Sequence, residues 1–295
     1  MRYVWATGTH QGRIRERNED SVFPETSGAG EGPLLVGVAD GMGGHVAGNI
    51  ASSLALTIAT EEPPDTDTTI ADRILAANEA IQDRVSDEPN LAGMGTTMTI
   101  GSFSDDGSAT IGHVGDSRLY LVRDGEIRRQ TRDHTQTRFI RQSQEQASRA
   151  RTSLTRCLGG VQEPPTTTCS SPTTLQQGDT VVLCSDGLWA QIPRGALSAA
   201  FADPQQDIAD SLGGLVEVAA TNPNSDNVTG VALRWLLPAS RGRLATCSSS
   251  RAIWSRRNSL VHFSKSILGA VRSQGHSYPF IQVAAMSAYL LAADV

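Results

Sequence analysis

The chain has 295 residues, 39% hydrophobic and 19% charged, with a formal net charge of -6. That apolar fraction supports a sizeable buried core and excludes a disordered chain. No apolar run approaches the roughly 18–20 residues that span a bilayer, and Met1–Trp5 lacks the long apolar stretch of a secretion signal, so a soluble cytoplasmic protein without a transmembrane segment is expected.

The charge is unevenly spread. Residues 239–295 hold seven basic groups and one acid, Asp294, while residues 1–238 hold 18 basic and 30 acidic residues. An acidic body of this kind is a poor partner for nucleic acid, whose phosphates need cationic surfaces. Its carboxylates could instead hold metal ions, provided that they converge. Cys157, Cys169, Cys184 and Cys247 form no C-x-x-C pair and read as incidental thiols in a reducing compartment.

In chain order, Tyr3–Thr9 reads as a first strand and Gln11–Ser21 as a polar, Arg-rich stretch. Pro33–Ala39 is a continuous apolar run, the pattern of a strand buried on both faces, and Asp40-Gly41-Met42-Gly43-Gly44 breaks it. Helices are expected from about His45 to Thr60 and from Thr69 to Ser86, the second with Ile70, Ile74, Ala77, Ile81 and Val85 on one face. The period then changes to two. Thr96–Phe103, Ala109–Val114, Arg118–Val122 and Glu126–Gln130 read as successive strands, with Asp106-Gly107 and Asp124-Gly125 at turns. Residues 133–151 are polar and read as a partly helical excursion. Thr180–Cys184 is a second buried strand, helical segments fill 195–220, and Val228–Leu237 is a last strand. Strand runs between helical stretches indicate an α+β fold of stacked sheets covered by helices.

Two of the Asp-Gly pairs stand apart. Asp40-Gly41 and Asp186-Gly187 each close a continuous apolar run, and a carboxylate at the end of a buried strand is costly unless paired or bound to a cation. Singly, either could cap a helix; together they read as ligands at the end of a sheet. Glu19-Asp20, Asp116 and Asp226 occur in comparable settings beside strands. Hard divalent ions such as Mg²⁺ or Mn²⁺ take such oxygen donors, and two of them can acidify a shared water and clamp an in-line displacement. Arg13, Arg15 and Arg17 alternate, so an extended segment would set all three on one side, either gripping phosphate or solvated on an edge strand. No G-x-S-x-G elbow or Walker A loop is present. His45, His113 and His134 are possible proton donors but read more simply as structural.

Seven motifs, in order, then resemble one family. They are Gly12-Arg13-Ile14-Arg15-Glu16-Arg17-Asn18-Glu19-Asp20, Val38-Ala39-Asp40-Gly41-Met42-Gly43-Gly44-His45, Met94-Gly95-Thr96-Thr97, His113-Val114-Gly115-Asp116-Ser117-Arg118, Leu154-Thr155-Arg156-Cys157-Leu158-Gly159, Ser185-Asp186-Gly187-Leu188-Trp189 and Ser225-Asp226-Asn227-Val228-Thr229. Over about residues 3–236 the chain resembles the metal-dependent protein serine/threonine phosphatases of the protein phosphatase 2C family, in their bacterial form. The resemblance implies an αββα four-layer sandwich of two antiparallel sheets and a binuclear Mn²⁺ or Mg²⁺ site. It implies that Asp40 bridges both ions, with Asp186 and Asp226 on the first. The Gly41 carbonyl and Asp20, directly or through water, would hold the second. Asp116 with Asp186 would hold a third, weaker ion. Arg15 would grip the phosphate, and a metal-bridging hydroxide would attack phosphorus directly.

Phosphoserine and phosphothreonine proteins, substrates of a bacterial-type Ser/Thr kinase, are then the expected partners of a monomeric enzyme. Two alternatives are a phosphatase of a small regulatory antagonist protein and a pseudophosphatase that only binds. The sequence departs from the family pattern at Met42, where eukaryotic members carry a His, and at 133–153, a short counterpart of the bacterial flap. Domain organisation is expected to be a catalytic domain, 1–238, and a basic extension, 239–295, outside the motif set. The extension reads either as poorly ordered or non-native sequence or as a membrane-surface or partner-docking segment.

Overall fold

Alternation along the strands decides which layer each side chain enters, and it gives this chain three hydrophobic layers. The structure, a computed structural model, describes residues 2–42, 47–64, 66–140, 149–160 and 167–236. The strands in chain order are β1 (Arg2–His10), β2 (Asp20–Phe23), β3 (Gly28–Glu31), β4 (Leu34–Met42), β5 (Gly95–Thr96), β6 (Met98–Phe103), β7 (Ser108–Val114), β8 (Arg118–Arg123), β9 (Glu126–Gln130), β10 (Thr135–Ile140), β11 (Arg149–Leu154), β12 (Leu158–Gly159), β13 (Thr168–Cys169), β14 (Thr173–Thr174), β15 (Thr180–Cys184) and β16 (Val228–Leu236). The helices are α1 (Ala47–Glu61), α2 (Ile70–Asp87), α3 (Asp186–Trp189), α4 (Arg194–Ala200) and α5 (Ile208–Thr221).

One sheet has the order β3-β1-β16-β15-β8-β9 and the other β12-β5-β4-β6-β7-β13, with β2 against β4 and β14 against β7. Their neighbouring strands run antiparallel. Side chains of successive residues point to opposite faces, so Val181 and Leu183 of β15 enter the layer between the sheets while Val182 and Cys184 face α3, α4 and α5. Likewise Val36 and Val38 of β4 point inward, and Leu35 and Ala39 pack under α1 and α2. Tyr3, Phe103, Leu121, Leu233 and Trp235 fill the inner layer. This is the expected αββα sandwich.

The helices start where local chemistry allows. Thr69 and Asp72 form a reciprocal capping box at α2, Asp72 N to Thr69 Oγ1 3.2 Å and Thr69 N to Asp72 Oδ2 3.1 Å. Asp207 Oδ1 accepts from Ala209 N at 2.8 Å and caps α5. No helix among the described residues is long and apolar enough to cross a membrane.

Three readings need correction. β4 does not stop at Asp40: Gly41 and Met42 remain paired with Thr96 and Gly95. The segment 133–151 is not partly helical where described, because β10 pairs with β11 from Thr135↔Leu154 to Ile140↔Arg149. Its β-branched and aromatic residues, Thr135, Thr137, Phe139 and Ile140, outweigh its polar composition. The Arg-rich stretch is a loop rather than an extended strand. Its turns are pinned by Arg13 N and Ile14 N, which both donate to Ser225 O at 3.0 and 3.2 Å. His45, residues 141–148 and the extension 239–295 lie outside the described residues.

If the inner layer carries the fold, Phe103→Ala should cost about 3–5 kcal/mol in denaturant unfolding, whereas Leu75→Ala, at an exposed position, should cost less than about 1 kcal/mol. Equal losses would show that the layer does not carry the stability.

Candidate metal centre

The inner layer turns polar at one end. The inward positions of β4 run Val36, Val38 and then Asp40; those of β2 run Val22 and then Asp20, which faces Asp40 across the strand pair. Strand parity thus delivers two carboxylates to the mouth of a hydrophobic layer. Asp40 is held by its backbone: Asp40 N donates to Thr97 Oγ1 at 3.0 Å, and Asp40 O accepts from Thr97 N and Thr96 Oγ1, each at 2.9 Å. Gly41 is required beside it. A Cβ there would sit 2.2 Å from Gly48 O and 2.5 Å from Glu19 O, so any side chain would push α1 or the β2 strand away.

Other loops bring the remaining acids. Asp186 is the first residue of α3, with only Ser185 between it and the end of β15. Asp226 precedes β16 and accepts from Asn227 N at 2.8 Å. Asp116 lies between β7 and β8, where its carbonyl accepts from Trp189 Nε1 at 2.9 Å. Arg118 stacks 3.4 Å over that Trp189 ring and forms a bidentate pair with Asp133 at 2.8 and 2.7 Å, tying the Asp116 loop to α3.

Together Asp40, Asp116, Asp186, Asp226 and Glu19 line a cavity of about 380 Å³ with Arg15, Gly41, Met42, Thr97 and Leu154. Asp20 is enclosed behind this wall. Its Oδ2 accepts from Ser185 Oγ at 2.8 Å, and its Oδ1 is buried without a hydrogen-bond partner. Burial, and then repulsion from Asp186 and Asp226, pushes Asp20 up to about 7 against hydrogen bonds from Thr229 and Ser185. Burial and Asp186 push Asp116 up to about 6. Asp40 is raised well above the carboxylate range by burial and by Asp20, Asp186, Asp116 and Asp226. Asp186 is raised by burial and Asp226, in part offset by a hydrogen bond with Asp40 and by Arg15.

These raised values describe a site with too much negative charge and too few cations. Among the described residues Arg15 is the one cation lining the cavity. It is bidentate on Asp226, Nε to Oδ1 2.7 Å and Nη2 to Oδ2 2.9 Å, and its Nη1 is 3.4 Å from Glu19 Oε2. Its loop is held by Asn227, whose Nδ2 donates to Gln11 O and Arg17 O at 2.7 and 2.8 Å and whose Oδ1 accepts from Glu19 N at 2.9 Å. Gly12, at φ 74°, lets that loop cross Asp226, because a Cβ there would be 2.0 Å from Asp226 O.

An orphaned carboxylate oxygen, an all-oxygen donor set and mutually raised carboxylates fit hard divalent cations. Among the described residues no three acidic, His or Cys side chains close around a single point. The acids stand along the walls instead, an arrangement suited to ions that keep part of their water shell.

Of the residues singled out in the sequence, the cavity gathers Arg15, Glu19, Asp40, Gly41, Asp116, Asp186 and Asp226, with Asp20 behind it. Arg13 and Arg17 do not line it, and neither do His113 or His134. His134 is committed to Gly115 N and Thr168 Oγ1, at 3.2 and 3.0 Å. Met42 lines the cavity where a His would offer a proton. Asn227, Trp189 and Thr97 were visible as motif members, but nothing in their spacing announced that they clamp the Arg loop, the Asp116 loop and the Asp40 backbone.

Comparison with known proteins gives a concordant result. A model of the family described as Protein phosphatase 2C matches residues 7–221. Serine/threonine protein phosphatase PstP of Mycobacterium tuberculosis is 36% identical over an alignment of 238 positions that covers 77% of this chain and 44% of PstP. The chain thus spans less than half the length of that relative. Serine/threonine phosphatase stp of Listeria welshimeri is 31% identical over an alignment of 242 positions that covers 75% of this chain and 91% of that protein. A crystal structure of the catalytic domain of PstP in complex with 2 manganese ions aligns with a TM-score of 0.63 and 32% identity, covering 80% of this chain and 100% of that one.

The raised Asp20 binds its proton more tightly in the folded state, so its favourable contribution is complete below the unfolded value of 3.8 and is lost as pH rises through about 7. In chelator, Asp20→Asn should therefore raise the melting temperature at pH 7 by several degrees and flatten its fall from pH 4 to 7. Mn²⁺ should stabilise the parent chain more than the variant. A variant less stable than the parent in chelator would contradict this electrostatic picture.

Proposed function

Since the chain belongs to the protein phosphatase 2C family, we propose that it hydrolyses phosphoserine and phosphothreonine in proteins, with divalent metal ions in the carboxylate cavity. The convergence of Asp40, Asp116, Asp186 and Asp226 on one cavity beside Arg15 is the observation that carries this reading. Asp40 would contact two ions, Asp186 and Asp226 one of them, and the Gly41 carbonyl and Asp20 the other. Asp116 with Asp186 would take a third, weaker ion. Manganese is favoured as the occupant by the relative that holds it, and Mg²⁺ has the same preference for hard oxygen donors. Bound there, such ions supply positive charge to the phosphoryl oxygens and acidify water for the attack.

The chain's own residues do the rest. Arg15 is half exposed at the cavity mouth, where its planar guanidinium can take two phosphoryl oxygens. It must exchange part of its grip on Asp226 to do so, which links phosphate binding to the charge on Asp226. The clamps on the Asp40 backbone fix that carboxylate without reorganisation during the reaction. No imidazole among the described residues lines the cavity. Leu154, at the end of β11, brings the β10–β11 hairpin to the cavity wall, where it can contact the substrate chain around the phosphorylated residue. The complete acidic set favours turnover over a purely binding role. The phosphoproteins acted on would be products of a Ser/Thr kinase in the cytoplasm.

Hydrolysis of para-nitrophenyl phosphate and of a phosphothreonine peptide should require Mn²⁺ and stop in EDTA. Asp40→Asn and Asp186→Asn should each lower kcat by at least about a hundredfold. Arg15→Met should chiefly raise KM, by about tenfold. Turnover that persists in EDTA, or an unimpaired Asp40→Asn variant, would refute the assignment.

A further inference from the structure

A second cavity, of about 260 Å³, opens between the sheets where β7 and β8 meet the ends of β9, β13 and β14. It shares no lining residue with the carboxylate cavity. Ile111, Leu119, Leu121 and Val181 give it an apolar floor, a continuation of the inner hydrophobic layer. Two features are out of keeping with a simple packing defect. The first is His113, which lines the cavity, is 2% exposed and has no partner for Nε2, while its Nδ1 lies 2.9 Å from Thr99 Oγ1. A buried imidazole nitrogen left unpartnered is destabilising, and such groups in folded proteins call for an explanation. The second is a pair of exposed guanidinium groups at the mouth, Arg129 and Arg132. Neither takes part in an ion pair among the described residues, although Arg129 donates to the Thr173 hydroxyl.

An apolar floor, one buried polar atom and a cationic mouth form the usual layout of a small-molecule site, mostly apolar with a few placed polar groups. The volume suits an aromatic ring with a short side chain; an apolar cavity of about 150 Å³ already holds benzene. We propose that this cavity binds a small hydroxylated aromatic carboxylate. The ring would cover Ile111, Leu119, Leu121 and Val181, the carboxylate would face Arg129 and Arg132, and the hydroxyl would satisfy His113 Nε2. Thr99 Oγ1 spends its one proton on Ser117 O and so accepts from His113 Nδ1, which leaves Nε2 as an acceptor that a ligand hydroxyl can satisfy by donating. The site is independent of the phosphatase reading, and it lies near the carboxylate cavity through hydrogen bonds. Thr99 Oγ1 donates to Ser117 O at 2.9 Å, Ser117 Oγ lies 2.7 Å from Thr97 Oγ1, and Thr97 Oγ1 accepts from Asp40 N at 3.0 Å.

The test is calorimetric titration of the full chain with para-hydroxycinnamate, with imidazole ¹⁵N shifts recorded in parallel. Saturable binding is expected, with the His113 Nε2 resonance moving most and cinnamate, which lacks the hydroxyl, binding about tenfold more weakly. The Arg129→Met/Arg132→Met variant should lose about tenfold in affinity with its turnover of para-nitrophenyl phosphate unchanged, since neither residue touches the carboxylate cavity. Ala109→Phe, which places a ring in the cavity, should abolish binding. The proposal fails if no saturable binding occurs at millimolar ligand, if the double variant binds as the parent does, or if the ligand proves competitive with the phosphate ester and so resides at the metal centre.

Discussion

The mutual repulsion of carboxylates at the end of one hydrophobic layer governs this structure. Asp20, Asp40, Asp116 and Asp186 each hold a proton more tightly than an isolated carboxyl group, and burial and one another are the main causes. Burying like charges is costly unless cations compensate them. Arg15 offsets part of this charge, through Asp226 and Glu19. A divalent ion would offset far more, since it brings two charges to within coordination distance of several oxygens at once. The feature that destabilises the metal-free fold is thus the one that would give it affinity for metal.

The sandwich turns that local problem into a precise site. Inward positions of β2, β4, β6, β8, β15 and β16 are apolar through most of the layer, then give way to hydroxyls and finally to carboxylates. Phe103, Leu121 and Leu233 lie in the apolar part. Thr97, Thr99, Ser117, Ser185 and Thr229 form the hydroxyl tier, bonded to one another or to strand backbone. Asp20 and Asp40 come last. Asp20 and Asp40 face each other across paired strands, so they cannot spread apart without opening the β2–β4 ladder. Loops supply Asp116, Asp186 and Asp226 to the same end, each anchored by a neighbour such as Trp189 or Asn227.

Much of this was legible in the sequence, for a definite reason. Leu34–Ala39 and Thr180–Cys184 are apolar without alternation, so the carboxylate that follows each must sit against a core. That pattern alone marks Asp40 and Asp186. The motif series pointed to the sandwich, and to Asp20, Asp116 and Asp226 as candidate ligands. What stayed hidden depended on contacts between distant segments. Gly28-Ala29-Gly30-Glu31 has no hydrophobic pattern, yet forms β3 because Trp5 packs over its glycines. The alternation of Arg13, Arg15 and Arg17 suggested a shared face; instead Ser225 and Asn227 fold that stretch into a loop, and Arg15 alone reaches the cavity. The polar composition of 133–151 concealed the pairing of β10 with β11, whose β-branched and aromatic residues suit a strand.

The account stands or falls on Asp40 as the residue on which the metal ions converge. Its most direct measurement is Mn²⁺ binding to the full chain, followed by calorimetry and by electron paramagnetic resonance. The account predicts two ions whose spins are coupled, with Asp40→Asn destroying both the coupling and the tighter binding while leaving the far-ultraviolet circular dichroism unchanged. A single isolated Mn²⁺, or a coupled pair that persists in the Asp40→Asn variant, would contradict it.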